Sequence, residues 1–151
     1  MSVAQLLVRY SAFHYEEAQM TTTAVDDRTA IGDAVQLYID GASKGDTAKL
    51  EAAFHSDARM FGAIDGQRFD MPIGQMFEVV SAQPLDSDGS FRARITSVEQ
   101  AGDAAVVTLE EEGCWGDISF VDFFSLARID GEWKIVNKTF THTGGHLPQS
   151  P

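Results

Sequence analysis

At Phe91 the spacing of apolar residues changes, and that change limits what the chain can fold into. Upstream, Ile31, Ala34, Val35, Tyr38 and Ala42 recur at i, i+3, i+4 and i+7, which puts them on one buried helical face. Downstream, segments 91–99, 104–112, 118–129 and 133–142 alternate with the period of strands. Helices first and strands last predict an α+β domain rather than alternating βαβ units.

The spacing predicts a first helix over 26–43, with Thr23 and Asp26 as a capping box at its start. Gly45 stops it, and Asp46 caps a second helix through residue 54 whose stripe is Leu50, Ala53 and Phe54. Residues 58–64 read as a strand, and Asp65-Gly66 as the turn to a short partner. A third helix follows, capped by Asp70, with Pro72 in its first turn and Ile73, Met76, Phe77 and Val80 buried. Residues 84–89 form a polar loop. The turns at Ala101-Gly102-Asp103 and Asp130-Gly131 suit an antiparallel meander. The domain expected is 26–142, three helices on a curved antiparallel sheet that encloses a pocket. Residues 1–25 form an N-terminal extension and 143–151 a C-terminal tail.

Leu6, Leu7, Tyr10, Phe13 and His14 can share one helical face, so a packed N-terminal helix is one reading of the extension. The other is an upstream start, with Met20 opening the usual form. Residues 3–8 are apolar but short, without a basic stretch before or a small-residue cleavage site after, and are not read as a signal peptide.

A formal charge of -12 argues against nucleic acid or an anionic membrane as main partner, because both repel acid. No apolar run approaches the roughly 20 residues of a membrane helix. One cysteine, Cys114, excludes an intramolecular disulfide and a Cys-rich zinc site, which fits a cytoplasmic setting. Segment 118–127 is apolar on both faces. One face covers the interior, and the other calls for a second cover, here expected to be a partner subunit in a homodimer formed through the sheet.

Asp122 stands between Phe120 and Phe124 on one strand face, where burial disfavours its charge unless a donor compensates. Tyr38 lies on the buried stripe of its helix, so its hydroxyl needs a partner. That partner is backbone or Asp122 in a plain core, or a ligand in a pocket. His55 reads as a histidine at a helix C-terminus, or as a general base. His142 shares strand parity with Phe140 and can line a cavity mouth. His142 and His146 flank Gly144-Gly145 without a recognised ligand spacing, so no metal is expected. Met60, Phe77, Phe120, Phe124 and Phe140 are core residues or the walls of an apolar cavity. Cys114 and Trp115 sit in a Gly-rich loop near a mouth, with nothing to make the thiol reactive.

Two stretches resemble a known superfamily. Val35-Gln-Leu-Tyr-Ile-Asp-Gly-Ala-Ser-Lys-Gly-Asp, then Leu50 to Phe54 and Ser56-Asp-Ala-Arg-Met, resemble the opening of nuclear transport factor 2-like proteins. The ending, Phe120-Val-Asp-Phe-Phe-Ser-Leu-Ala-Arg-Ile-Asp-Gly-Glu-Trp-Lys-Ile-Val-Asn-Lys-Thr-Phe, is similar to the branch described as "putative lumazine-binding". The resemblance spans about 26–142 and implies a cone-shaped α+β fold. The superfamily includes ketosteroid isomerases, SnoaL-like cyclases and limonene epoxide hydrolases, so fold alone does not select an activity. Alignment with the isomerases implies that Tyr38 and Asp122 take the positions of the oxyanion donors. The general base falls at Gly62, which cannot move a proton.

Two functions follow. One is a small-molecule protein whose mostly apolar pocket orients its ligand with Tyr38 and Asp122. If catalytic, it would do cofactor-free isomerase-, cyclase- or dehydratase-like work, with His55 or His142 as base. The other is a non-catalytic dimeric scaffold with a vestigial pocket.

Overall fold

The computed structural model describes residues 2–147, with side chains described at 2–5, 9 and 26–147. The chain divides into two compact units, Met1–Ala30 and Ile31–Pro151. Helix α1 is Val3–Lys44. The backbone is thus already helical at Thr23 and Asp26, and the expected capping box does not open a helix. A cap works only where the preceding backbone leaves the helix, whereas Glu16-Glu17-Ala18-Gln19-Met20 upstream are good helix formers. The face of Leu6, Leu7, Tyr10, Phe13 and His14, and Met20, lie outside the residues whose side chains are described.

In the second unit, Ile31, Val35, Tyr38 and Ala42 of α1 are buried, as their spacing requires. Asp46 caps α2 (Thr47–Ala53), its side chain accepting from the Lys49 amide at 3.3 Å. Strand β1 (Phe54–Ile64) begins at Phe54, earlier than expected, because Phe54 pairs with Ile135. Strand β2 (Gln67–Pro72) contains Asp70, which therefore does not cap α3 (Ile73–Ala82). Two guanidinium groups hold it in the strand: Arg59 at 2.8 Å and Arg68 at 3.0 Å. Pro72, at the N-cap of α3, has no side-chain cap bond. Strands β3 (Arg92–Ala101), β4 (Ala104–Cys114), β5 (Ile118–Ile129) and β6 (Glu132–Gly144) complete the fold.

The six strands form one curved sheet in the order β2-β1-β6-β5-β4-β3. The meander β3 to β6 is antiparallel as expected, but β1 runs parallel to β6, so the sheet is mixed. The chain leaves β2 through α3, starts again at the far edge with β3 and returns to lie beside β1. A parallel pair needs such a long connection and leaves no turn signature in the sequence. Register shifts at Ile95/Ser97, Glu111/Cys114 and Ser125/Leu126 mark bulges, which add bend to the strands carrying them.

Strand β5 buries one face completely: Ile118, Phe120, Asp122, Phe124 and Leu126. The opposite face is open in the single chain, with Val121 half-buried and Phe123 47% exposed. Among the described residues no helix is long and apolar enough to cross a membrane.

Candidate functional site

Strand register sets the inner face of the sheet out in rows. Met60 of β1 faces Lys138 of β6, which faces Phe124 of β5, which faces Val107 of β4. The next row is Gly62, Phe140, Asp122 and Leu109, and beyond it His142, Phe120 and Glu111. Tyr38 comes down onto these rows from α1. Four polar side chains, Tyr38, Glu111, Asp122 and Lys138, therefore meet among aromatic rings.

All four are buried, Asp122 and Glu111 almost completely at 0% and 1% exposure. The Tyr38 hydroxyl lies 3.0 Å from Glu111 Oε1 and 3.3 Å from Asp122 Oδ2. It has one proton to donate to two carboxyls. Asp122 Oδ1 finds no hydrogen-bond partner among the described residues. A proton on Glu111 resolves both shortages, because the two carboxyls are close enough to share it. Burial raises the Glu111 carboxyl well above the ordinary range, and the charge of Asp122 raises it further. Glu111 thus keeps its proton. Tyr38 is pushed up too, by burial first and then by Glu111, so it stays a neutral donor.

Lys138 Nζ is 3.7 Å from Asp122 Oδ2, an ion pair too long for a hydrogen bond. Its other neighbours are soft: the rings of Tyr38 at 5.2 Å and Phe140 at 5.1 Å, and Met60 Sδ at 3.8 Å. The cluster then holds one anion, Asp122, and one cation, Lys138. Cys114 Sγ lies 4.0 Å from Glu111 Oε2, and burial raises its thiol far above the usual range, which keeps it inert.

The cluster forms the polar end of a cavity of about 100 Å³. Tyr38, Glu111 and Lys138 line it, as do Met60, Phe120 and Phe140, while the rest of its wall is apolar. Asp122 stands behind them and acts through Tyr38, Glu111 and Lys138. A wider vestibule of about 700 Å³ shares Ile64, Phe69, Val79 and Trp115 with the cavity. Its apolar rim accounts for Val79, 47% exposed on α3. Trp115 is held at this rim, its indole N–H donating to the Gln83 carbonyl at 2.9 Å and its amide to Leu85 at 2.8 Å. The loop closes because residue 113 is glycine: φ is 68°, and a Cβ there would fall 2.4 Å from the Ser90 carbonyl oxygen.

The remaining candidates separate. Phe124 is fully buried behind Tyr38, rings 5.0 Å apart, and Phe77 packs on Phe54 at 5.6 Å; neither lines the cavity. His55 directly follows the C-cap of α2 and already belongs to β1, and its Nδ1 accepts from the Asp57 amide at 3.1 Å, away from the cavity. His142 Nδ1 accepts from the Asp65 amide at 3.3 Å, leaving Nε2 to donate to the carbonyls of Gly144 (2.9 Å) and Gly145 (2.6 Å). It ties the end of β6 to the β1–β2 turn instead of lining the cavity. His146 Nδ1 reaches Asp65 Oδ1 at 3.1 Å, and Asp65 is held below the usual carboxylate range mainly by that bond. No group of three or more His, Cys, Asp or Glu among the described residues is arranged to hold a metal.

Gly62 has a physical explanation. A Cβ at this position would sit 2.5 Å from two carbons of the Phe140 ring. The ring fills the space above β1 from which an aspartate would act.

Comparison with known proteins places this geometry. The sequence profile of the family described as "putative lumazine-binding" matches residues 26–141. The chain belongs to this family. Within the wider nuclear transport factor 2-like group, a protein from Methylobacillus flagellatus KT superposes with a TM-score of 0.71 at 31% identity, over 79% of this chain and 94% of that one. Another, from Shewanella baltica OS155, gives 0.72 at 27% identity, over 80% and 97%. A relative named aldolase FrzH, from Cladobotryum sp, is 26% identical over 103 residues, 68% of this chain and 81% of that one.

Two members of the cluster, Glu111 and Lys138, do not stand out in the sequence. Glu111 sits in Glu110-Glu111-Glu112, which looks like a solvated edge, yet it continues the buried parity of Ala105, Val107 and Leu109. Lys138 shares parity with Phe140, but the register shift beside Ile135 hides this from a simple alternation count.

Proposed function

We propose that this protein binds a small, mostly apolar carbonyl compound in the cavity and carries out cofactor-independent acid–base chemistry on it, of isomerase, cyclase, dehydratase or aldol type. The observation that carries the reading is the buried group of Tyr38, Glu111, Asp122 and Lys138 at the end of an apolar cavity. Polar groups are desolvated in this way at functional sites more often than elsewhere. Tyr38 and Lys138 supply donors for a carbonyl oxygen, and their hydrogen-bonding power grows as water is excluded. Since Phe140 fills the space above Gly62, and His55 and His142 are tied up elsewhere, the Glu111–Asp122 pair is the acid–base element. The family membership and the relative named an aldolase support a ligand-binding or isomerase-like role.

The test is a thermal-shift screen of small aromatic and polyketide-like ketones and aldehydes, followed by titration of the hits into Tyr38→Phe and Asp122→Asn. Weaker binding in both variants is expected. Unchanged affinity in both, for a compound that protects the wild type, would remove the cluster from ligand recognition.

The open outer face of the sheet favours a second reading, in which the chain is a homodimeric scaffold. Phe123 is nearly half exposed there, between Thr108 and Thr139 of its neighbouring strands, and Val106 is 46% exposed. A second copy of the chain would cover this strip. Sedimentation equilibrium at micromolar concentration is expected to show a dimer that Phe123→Arg dissociates, and a monomeric wild type would refute it.

A further inference from the structure

We propose that Lys138 is a nucleophile that condenses with an aldehyde or ketone in the cavity to form a covalent iminium ion. The inference rests on reading the cavity as a ligand site, and it adds a bond-forming residue to it. Four features converge. Lys138 lines the cavity, and its ammonium makes no hydrogen bond to an oxygen among the described residues, Asp122 Oδ2 being 3.7 Å away. Asp122 pairs with the ammonium at 3.7 Å and takes its proton as Nζ closes that gap. Glu111 and Tyr38 stand beside the same space as acids. The surrounding wall is mostly apolar and aromatic, which limits the water that would hydrolyse the product.

The step balances within these residues. Asp122 takes one proton from the ammonium, and the freed Nζ lone pair attacks the carbonyl carbon. The C=O π pair moves to oxygen, which takes the Glu111 proton, and Glu111 recovers a proton from the now cationic nitrogen. The nitrogen lone pair then forms C=N as the hydroxyl leaves as water with the Glu111 proton, and Asp122 passes the proton it took from the ammonium on to Glu111. One ammonium and one carbonyl become one iminium and one water, and both carboxyls return to their starting states.

The contacts that hold the ammonium suit the product equally well. An iminium nitrogen at the same place keeps the Asp122 charge and the faces of Tyr38 and Phe140 as partners. The positive charge is therefore retained, and it acidifies the adjacent C–H, which is what aldol or isomerisation chemistry requires.

The experiment is reductive trapping. Full-length protein is incubated with benzaldehyde or hexanal and sodium cyanoborohydride, and the alkylated lysines are mapped by peptide mass spectrometry. Binding of each aldehyde without reductant is followed in parallel by thermal shift. Lys138 is expected to be labelled faster than the exposed Lys44 and Lys49 by at least about tenfold, a small part of what holding two reactants together can give. Lys138→Arg, which keeps the charge but cannot form the iminium, should lose the fast adduct while its thermal unfolding without aldehyde shows that it folds. Lys138 labelled no faster than Lys44 and Lys49 overturns the inference. If the aldehydes nevertheless stabilise the protein, the cavity reading survives; if they do not, both fall for this class of compound.

Discussion

Glu111→Gln is the most informative substitution, because it separates a shared proton from a simple ion pair. Glu111 is 1% exposed and faces both Tyr38 and Asp122. A glutamine can keep both contacts, its carbonyl accepting from the Tyr38 hydroxyl and its amide donating toward Asp122. Burial, reinforced by the Asp122 charge, raises the Glu111 carboxyl in the folded state above its unfolded value of about 4.3. Between those two values the folded protein holds one more proton than the unfolded chain. The stability Glu111 contributes is thus complete below about pH 4.3 and falls by about 1.4 kcal/mol per pH unit as the pH rises toward the folded value. Glutamine has no such dependence. Urea unfolding of both proteins between pH 5 and 8 should show the variant gaining on the wild type by about 1.4 kcal/mol from pH 5 to 6. Titrating groups away from the cluster cancel in the difference. A stability difference that stays constant across this range would show that Glu111 is ionised in the folded protein, and the assignment of the shared proton would be wrong.

Asp122→Asn should destabilise far more, by about 3–5 kcal/mol, because it leaves the buried Lys138 cation without its counter-charge. Adding Lys138→Met should recover most of that loss, a coupling read by a double-mutant cycle in chemical denaturation. Gly62→Ala places a Cβ 2.5 Å from the Phe140 ring and should cost about 1–3 kcal/mol, with the ring displaced into the cavity and aldehyde binding weakened. Phe140→Leu in the same chain should restore much of the stability in thermal unfolding, and no recovery would place the clash elsewhere.

Much of the fold was legible because local physics writes it into the chain. The period change at Phe91, the stripe of Ile31, Val35, Tyr38 and Ala42, the Asp46 cap and the Asp65-Gly66 turn act over a few residues, and each element formed where they point. The Thr23–Asp26 box and the Asp70 cap did not act as expected, since a cap takes effect only at a chain end of a helix. At both places the backbone upstream is already committed, to α1 and to β2.

Asp122 could be recognised from the sequence because a charge between two phenylalanines breaks an apolar alternation. Tyr38 could be recognised because its hydroxyl falls on a buried helical stripe. Glu111 and Lys138 were hidden because they look like members of ordinary charged stretches, and only strand register brings them to the same end of the cavity. The parallel pairing of β1 with β6 is likewise a tertiary outcome, since it joins segments about 80 residues apart through no local signal. By itself, then, the sequence determined the order of elements, their buried faces and two of the four polar groups. Tertiary structure decided which charges share a proton and which carboxyl reaches the cavity. It also put a phenylalanine ring over Gly62 and a lysine in the cavity wall, because those relations depend on distances between strands that no local pattern encodes.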